Sequence, residues 1–347
     1  MQNIKSVLTT SIIIVSLIIP LIGICLLYDP NIKFEITNYI ISITIFTIYQ
    51  SFLSALISLI IGSIFAYYLK KNSEIGIIKL IVNILSILFV MPTIIIVLGM
   101  LTFFNSFTNI YGPFGIVFCH VILNLPLATR IIYQSLNDIS GNEYILAKQM
   151  GLKKFETFLA TEWQIIKKNA PSLFALIFFI CFVSFTPVLI LGGSPKYSTI
   201  EVSIYQSVVF LNNYNTAFYL LILQLLICSI LFFLTFKNFK SENFFLDDRK
   251  IHTKNEIPFR NKLTDYSVII FISLTLFISP IAIFFRGINL KFFEVFSSNY
   301  FLSSLSDTFL ICFGSGILSL LFTLNILQIL DKSKKSYEYL LYIFLVL

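Results

Sequence analysis

Residues 142–171 read NEYILAKQMGLKKFETFLATEWQIIKKNAP, a polar stretch that lies between long apolar runs. Residues 143–150 are predicted to form a short helix, and Gly151 then permits a left-handed turn that other residues resist. A second short helix is predicted to follow, with an apolar stripe at helical spacing that would suit a partner's groove or the membrane surface. The stripe consists of Phe155, Phe158, Leu159 and Ile166.

The composition of the whole chain places it in a lipid bilayer. It is 57% apolar and 12% charged, whereas soluble domains carry about 25% charged residues. Apolar runs of about 20 residues recur along the chain, and each is long enough to cross the hydrocarbon core as a helix. The predicted fold is all-α, a polytopic membrane helical bundle. The predicted spans are 7–28, 39–69, 78–104, 114–134, 172–192, 216–236, 266–285, 303–330 and the start of another from Tyr337.

The basic residues predict the orientation of these spans. If the N-terminus is cytoplasmic, all of the 24 Lys and Arg lie on the cytoplasmic side except Lys33, Lys196, Arg286 and Lys291. Such a bias is the positive-inside signal of a membrane protein. The bias explains the net charge of +7, and no nucleic-acid partner is needed to account for it.

An internal repeat predicts the domain organisation. The pattern at 54–59 recurs at 315–320, after a first span and an outside loop in each case. We therefore interpret 1–240 as a first six-span half, 241–265 as a cytoplasmic connector, and 266–347 as the start of a second half. The sequence stops inside an apolar run at Leu347, so the second copy is expected to be truncated.

Residues that could carry out catalysis are sparse. The sequence has no phosphate-binding GxxxxGK[ST] loop, no paired carboxylates, no serine triad pattern and no metal-ligand spacing. Its five cysteines form no CxxC motif and fall in apolar spans, where cysteine behaves as a small hydrophobe. We therefore predict that the chain has no catalytic site of its own and does not bind a metal or a cofactor.

A few polar residues inside the spans are candidates for a transport path. Polar groups in lipid usually face a bundle interior or a water-filled cavity. The equally weighted alternative is that they form hydrogen bonds between helices, worth about 1 kcal/mol or less each. The candidates are Gln50, His120, Asn124 and Thr186.

Three stretches carry a resemblance to a known family. Ala147 and Gly151 resemble the core of the EAA loop of bacterial ABC importer permeases, although Ile145, Leu146 and Gln164 depart from its pattern. The flanks strengthen the likeness, because 111–130 holds YGPFGIVFCHVILNLPLATR and 184–206 holds SFTPVLILGGSPKYSTIEVSIYQ. Together they resemble the binding-protein-dependent importer permeases, thiamine permeases in particular, with ferric-iron permeases as close relatives.

The resemblance implies a permease subunit of an ATP-driven importer in the bacterial inner membrane, with a duplicated six-span unit. Its partners would be two copies of an ABC ATPase that binds the ATP, a periplasmic substrate-binding protein and a small-molecule substrate, which the resemblance implies is thiamine, with ferric iron as the alternative. A chain that ends at Leu347 would lack the second docking loop of such an importer. The resemblance assigns ATPase docking to Glu143, Ala147, Gly151, Phe155, Glu162 and Trp163.

Two other classes of function remain open from the sequence. A secondary transporter should show inverted repeats and charges at mid-membrane, whereas the repeat here is six spans long and therefore parallel. A non-transporting remnant of a degraded gene is the second alternative, favoured by the abrupt end of the sequence.

Overall fold

The computed structural model describes residues 37–104, 107–193, 195–236, 262–288 and 292–332, with isolated positions between 19 and 26. These residues are helical and no strand occurs in the described ranges, which confirms the all-α prediction. Six of the helices are long and apolar enough to cross a membrane, or seven if one bent pair counts as a single span. The predicted spans 7–28 and from Tyr337 onward lie outside the described residues.

Thirteen helices are numbered here in chain order, over the described residues only. They are α1 Asn38–Lys71, α2 Gly76–Val90, α3 Thr93–Phe104, α4 Pro113–Leu136, α5 Gly141–Gln149, α6 Lys154–Ala160, α7 Glu162–Phe182, α8 Thr186–Leu191, α9 Ile200–Val209, α10 Tyr214–Phe236, α11 Lys262–Gly287, α12 Phe292–Phe296 and α13 Asn299–Lys332.

The described residues fall into two compact units. The larger lies within Ile36–Ser203 and Phe233–Arg286, and it holds α1 to α8 and α11. The smaller includes Ile204–Phe232 and the described part of the chain from Gly287 onward, with α12 packed against the start of α13. Residues 241–261 of the predicted connector lie outside the described residues. Residues 262–265, its last four, form the first turn of α11.

Helix α1 is the centre of the larger unit, where it packs against α4 and α7. Its buried face carries small residues at a spacing of four, Ser58, Gly62 and Ala66. A Cβ atom at Gly62 would lie 2.6 Å from the Cβ of Ala128 on α4, so the two helix backbones approach closely. Small residues permit such an approach, and van der Waals packing then takes the place of the hydrophobic effect in lipid.

The predicted span 78–104 is not one straight helix. The chain instead forms α2 and α3, whose axes differ in direction by 102°. Pro92 accounts for the break, because the residue before a proline is pushed out of the helical region. That residue, Met91, has φ −61° and ψ 137°, an extended conformation.

The predicted span 172–192 also differs from the structure. Helix α7 begins ten residues earlier, at Glu162, and ends at Phe182, after which α8 starts at Thr186. Pro187 lies in the first turn of α8, where its missing N–H costs no helical hydrogen bond. The early start of α7 means that one continuous helix leads from the polar segment into the membrane.

Candidate functional site

The polar segment 140–163 contains α5, α6 and the first turn of α7. Helix α5 begins with a capping box, in which Oε1 of Glu143 accepts hydrogen bonds of 3.4 Å from the backbone N–H and the hydroxyl of Ser140. This reciprocal cap satisfies donors that the helix cannot pair internally. The short helix predicted at 143–150 is confirmed. The side chain of Glu143 caps its N-terminus.

Gly151 ends α5 in the way that the sequence predicted. Its φ of +72° lies in the left-handed region. The N–H of Leu152 donates to the carbonyl of Ala147 at 3.1 Å, and the N–H of Gly151 donates to the carbonyl of Lys148 at 3.0 Å. This pair of bonds is a Schellman motif, which satisfies the last carbonyls of the helix and reverses the chain.

The predicted single helix after Gly151 is divided in two. Helix α6 ends at Ala160, and Thr161, with φ −110° and ψ −82°, breaks the chain before α7 starts. Ile166 is therefore buried on α7, whereas Phe155, 69% exposed, belongs to α6. The predicted apolar stripe on one helix is wrong, because its members occupy two helices.

A buried carboxylate joins these helices. The hydroxyl of Tyr144 on α5 donates to Oε1 of Glu162 at 3.0 Å, and the hydroxyl of Thr161 donates to Oε2. Glu162 is only 5% exposed. Burial, followed by the charge of Glu162, raises the pKa of Tyr144, so its hydroxyl keeps its proton and remains the donor.

This contact assigns Glu162 an internal role that the sequence did not predict. Its side chain faces the interior of the 140–163 segment, where it fixes α5 to the base of α7. Tyr144 was missed altogether. No spacing rule connects it with a residue 18 positions later.

Three exposed side chains on α5 and its C-cap are apolar, although Asn142, Glu143, Lys148 and Gln149 are exposed as well. Ile145, Leu146 and Met150 are all exposed, whereas Ala147 is buried beneath them. Trp163, at the start of α7, is 43% exposed. The residues that depart from the EAA pattern, Ile145 and Leu146, are thus the ones available to a partner, while Ala147 and Gly151 shape the backbone that presents them.

Three of the four predicted path residues converge inside the bundle of the larger unit. Gln50 on α1 donates through Nε2 to the carbonyl of Cys181 on α7 at 3.0 Å. Asn124 on α4 donates to the carbonyl of His120 at 2.8 Å and to Sγ of Cys181 at 3.3 Å. All four groups are buried, and neither ring nitrogen of His120 has a hydrogen-bond partner among the described residues.

The bonds of Gln50 and Asn124 to Cys181 join two helices, which is the alternative that the sequence left open, whereas the bond from Asn124 to His120 lies within α4. A path-lining role for Gln50, His120 and Asn124 stays a prediction. Thr186 lies apart from them, half-buried at the first position of α8. Of the cysteines, Cys119 and Cys181 are buried as predicted, whereas Cys312 on α13 is exposed; Cys25 lies outside the described residues.

Comparison with known proteins shows that the chain is similar to transport permeases. The chain is 32% identical over 213 residues to the thiamine transport system permease protein ThiP of Haemophilus influenzae, an alignment that covers 57% of this chain and 39% of that protein. It is 28% identical over 315 residues to ThiP of Escherichia coli, covering 84% of this chain and 57% of that protein. The chain is similar to thiamine transport permeases.

This similarity confirms the resemblance inferred from the sequence. A third relative, ThiP of Brucella abortus, is 30% identical over 198 residues, or 53% of this chain and 36% of that protein. The chain spans between about a third and about 57% of the length of these relatives. No protein-family model matches it.

Proposed function

We propose that this chain is a membrane permease subunit of an ATP-driven ABC importer for thiamine, located in the bacterial inner membrane. Its six described apolar helices support the membrane placement. The similarity to relatives named as thiamine transport permeases supports the substrate. The chain forms part of the substrate translocation path and contains the 140–163 segment, which docks the ATPase. A separate ATPase subunit binds and hydrolyses ATP.

The observation that carries this proposal is the continuous helical link between the 140–163 segment and the apolar part of the bundle. Helix α7 runs without a break from Glu162 to Phe182, and a helix of its 21 residues is about 30 Å long. One end is bonded to α5 through Tyr144, and the other end holds Cys181 among Gln50 and Asn124. A displacement of α5 is therefore transmitted along α7 to the buried polar cluster.

The proposed mechanism follows from this link. A periplasmic binding protein delivers the substrate, and two ATPase copies close on ATP. The exposed apolar residues Ile145, Leu146 and Met150 contact an ATPase copy, and its closing movement shifts α5. Because Glu162 on α7 is buried and bonded to α5, α7 moves together with α5. Access to the substrate translocation path then alternates between the two sides of the membrane. The distribution of basic residues supports a cytoplasmic location of the N-terminus and of the 140–163 segment.

Two measurements test the proposal. The gene that encodes this chain, with its ATPase and binding-protein genes, is introduced into a strain that lacks thiamine uptake, and ATP-dependent uptake of labelled thiamine and of ferric iron is compared. In the same cells, a photo-crosslinking amino acid replaces Met150, with replacement of Lys196 as the control. We expect ATP-dependent thiamine uptake. We also expect a crosslink to the ATPase from position 150 and none from position 196. Uptake of iron alone, or no crosslink at 150, would contradict the proposal.

A further inference from the structure

The end of α1 contacts two other parts of the larger unit at once. Tyr67 and Lys71 are four residues apart, so they lie on the same face of the last turn of α1. The ring of Tyr67 meets α6, and the ammonium group of Lys71 meets α11. Helix α6 belongs to the 140–163 segment, and α11 begins within the last residues of the predicted connector. One short face of α1 therefore lies between the 140–163 segment and α11.

The contact of α1 with α6 is made by aromatic rings. The rings of Tyr67 and Phe158 lie 5.3 Å apart with an interplanar angle of 81°, the edge-to-face arrangement that aromatic pairs favour. The ring of Phe158 also lies 6.3 Å from that of Trp163, at the start of α7. A shift of α6 therefore either displaces the ring of Tyr67 or breaks this contact.

The contact of α1 with α11 is a buried ion pair. Nζ of Lys71 lies 3.0 Å from Oδ1 of Asp265, and the two side chains are 10% and 1% exposed. The other carboxylate oxygen of Asp265, Oδ2, has no hydrogen-bond partner among the described residues. A buried charge is costly without its counter-charge, so the position of Asp265 in the first turn of α11 depends on the position of Lys71.

The ring of Tyr67 takes part in both contacts. Nζ of Lys71 lies 6.0 Å from the ring centroids of Tyr67 and Tyr68, and these two rings are themselves 5.4 Å apart. A cation at about this distance over the face of an aromatic ring is attracted by it. Tyr67 thus touches Phe158 of α6 and also helps to hold the cation that pairs with Asp265 of α11.

We propose that Tyr67 is a positioning residue that couples the 140–163 segment to α11. A shift of α6 moves the ring of Tyr67, the ring moves the ammonium group of Lys71, and Asp265 follows its counter-charge. Chains of packed side chains and ion pairs can carry coupling of this kind. The route is separate from the one along α7, because it starts at Phe158 and ends on α11. Its use in transport rests on the proposed function, whereas the physical connection does not.

The accessibility of α11 measures this connection. Ile269 lies one turn after Asp265 and is 3% exposed. It is replaced by cysteine in the full chain without its five native cysteines, and the rate of labelling by N-ethylmaleimide is measured in lipid nanodiscs. Phe158→Ala is expected to raise this rate about threefold, because an aromatic contact is lost. Phe155→Ala on the same helix is the control, since Phe155 is 69% exposed, and should leave the rate unchanged.

Variants of Tyr67 decide whether the connection passes through its ring. Tyr67→Phe keeps the ring and should leave the labelling rate at position 269 unchanged, whereas Tyr67→Leu should raise the rate as Phe158→Ala does. In a chain that already carries Tyr67→Leu, the further change Phe158→Ala should add nothing, because the two changes act on one contact. Circular dichroism checks that each variant keeps its helical content.

The reverse direction gives an independent measurement, because coupling between two sites is reciprocal. Thr157 on α6 is 6% exposed, so a single cysteine at this position reports access to α6. Asp265→Asn removes the charge that pairs with Lys71 and should raise the labelling rate at position 157. Glu74→Gln, in an exposed turn, should leave it unchanged.

Three results would overturn the proposal. Equal labelling at position 269 in the Phe158→Ala and Phe155→Ala variants means that Phe158 does not connect α6 to α11. A full effect of Phe158→Ala in the Tyr67→Leu chain means that the connection bypasses Tyr67. An unchanged rate at position 157 in the Asp265→Asn variant means that the ion pair is not part of it. Neither ATPase nor thiamine is present in these measurements, so failure of this proposal is distinguishable from failure of the proposed function.

Discussion

The hydroxyl of Tyr144 lies 3.0 Å from Oε1 of Glu162, and this hydrogen bond fixes the short helix α5 to the base of the membrane helix α7. Both side chains are buried. The bond is charge-assisted, since a carboxylate is the acceptor, and such bonds contribute about 1.5–3 kcal/mol. It joins α5 directly to α7, so it affects how firmly movement of the segment reaches the membrane.

Replacing Tyr144 by Phe removes this bond and keeps the ring. The buried carboxylate of Glu162 then loses one of its two donors, and the 140–163 segment should be destabilised locally by about 1.5–3 kcal/mol. We expect faster proteolysis within 140–163 and a lower ratio of substrate transported to ATP hydrolysed. Tyr300→Phe is the control, because Tyr300 is 83% exposed. Identical proteolysis rates for the two variants would show that the bond does not hold the segment in place.

Replacing Gly151 by Val should uncouple transport from ATP hydrolysis. The position has φ +72°, and no atom lies within 4 Å of a Cβ added there. The cost therefore comes from the backbone alone, about 1–2 kcal/mol for a non-glycine residue in the left-handed region. Gly151→Asn is the matched control, because asparagine tolerates this conformation. Uptake and assembly with the ATPase are measured separately, and undiminished uptake by the Val variant would rule out the coupling role.

The ion pair between Lys71 and Asp265 is expected to hold α11 against α1. Nζ of Lys71 lies 3.0 Å from Oδ1 of Asp265, and the two side chains are 10% and 1% exposed. Removing one partner of a buried pair costs about 3–5 kcal/mol, because it leaves the other charge uncompensated. Asp265→Asn should therefore lower the midpoint of thermal unfolding in detergent, whereas Glu74→Gln, in an exposed turn, should not.

A charge exchange completes this test. In the double variant Lys71→Asp, Asp265→Lys the pair is re-formed with its signs reversed, so part of the lost stability should return. If the double variant is no more stable than the sum of its single changes predicts, the two residues do not interact in the folded chain.

The orientation inferred from the basic residues can be checked by cysteine labelling in intact cells. Ser140 and Lys196 are both exposed, and they lie in the loops before α5 and after α8. Single cysteines are placed at these positions in a chain without the five native cysteines. A membrane-impermeant maleimide should label position 196 and not 140. Ser198 is unsuitable for this purpose because it is buried. Labelling at 140 alone would reverse the proposed topology.

The sequence predicted most of the membrane helices, because the length of an apolar run and the thickness of the bilayer decide them locally. It also predicted α5 and its end at Gly151, since a glycine that permits a left-handed turn acts on the residues beside it. It did not predict the turn of 102° between α2 and α3. Pro92 lies in an otherwise continuous apolar run, and membrane helices often tolerate proline.

Only the tertiary structure decided which residues make up the candidate site. Tyr144 meets Glu162 across 18 positions of sequence, and Lys71 meets Asp265 across 194. Hydropathy and helical periodicity describe what each helix exposes, but they do not say which faces of two helices meet. That choice depends on close packing, as where Gly62 admits Ala128, and the energy of such packing comes from many contacts between residues distant in sequence.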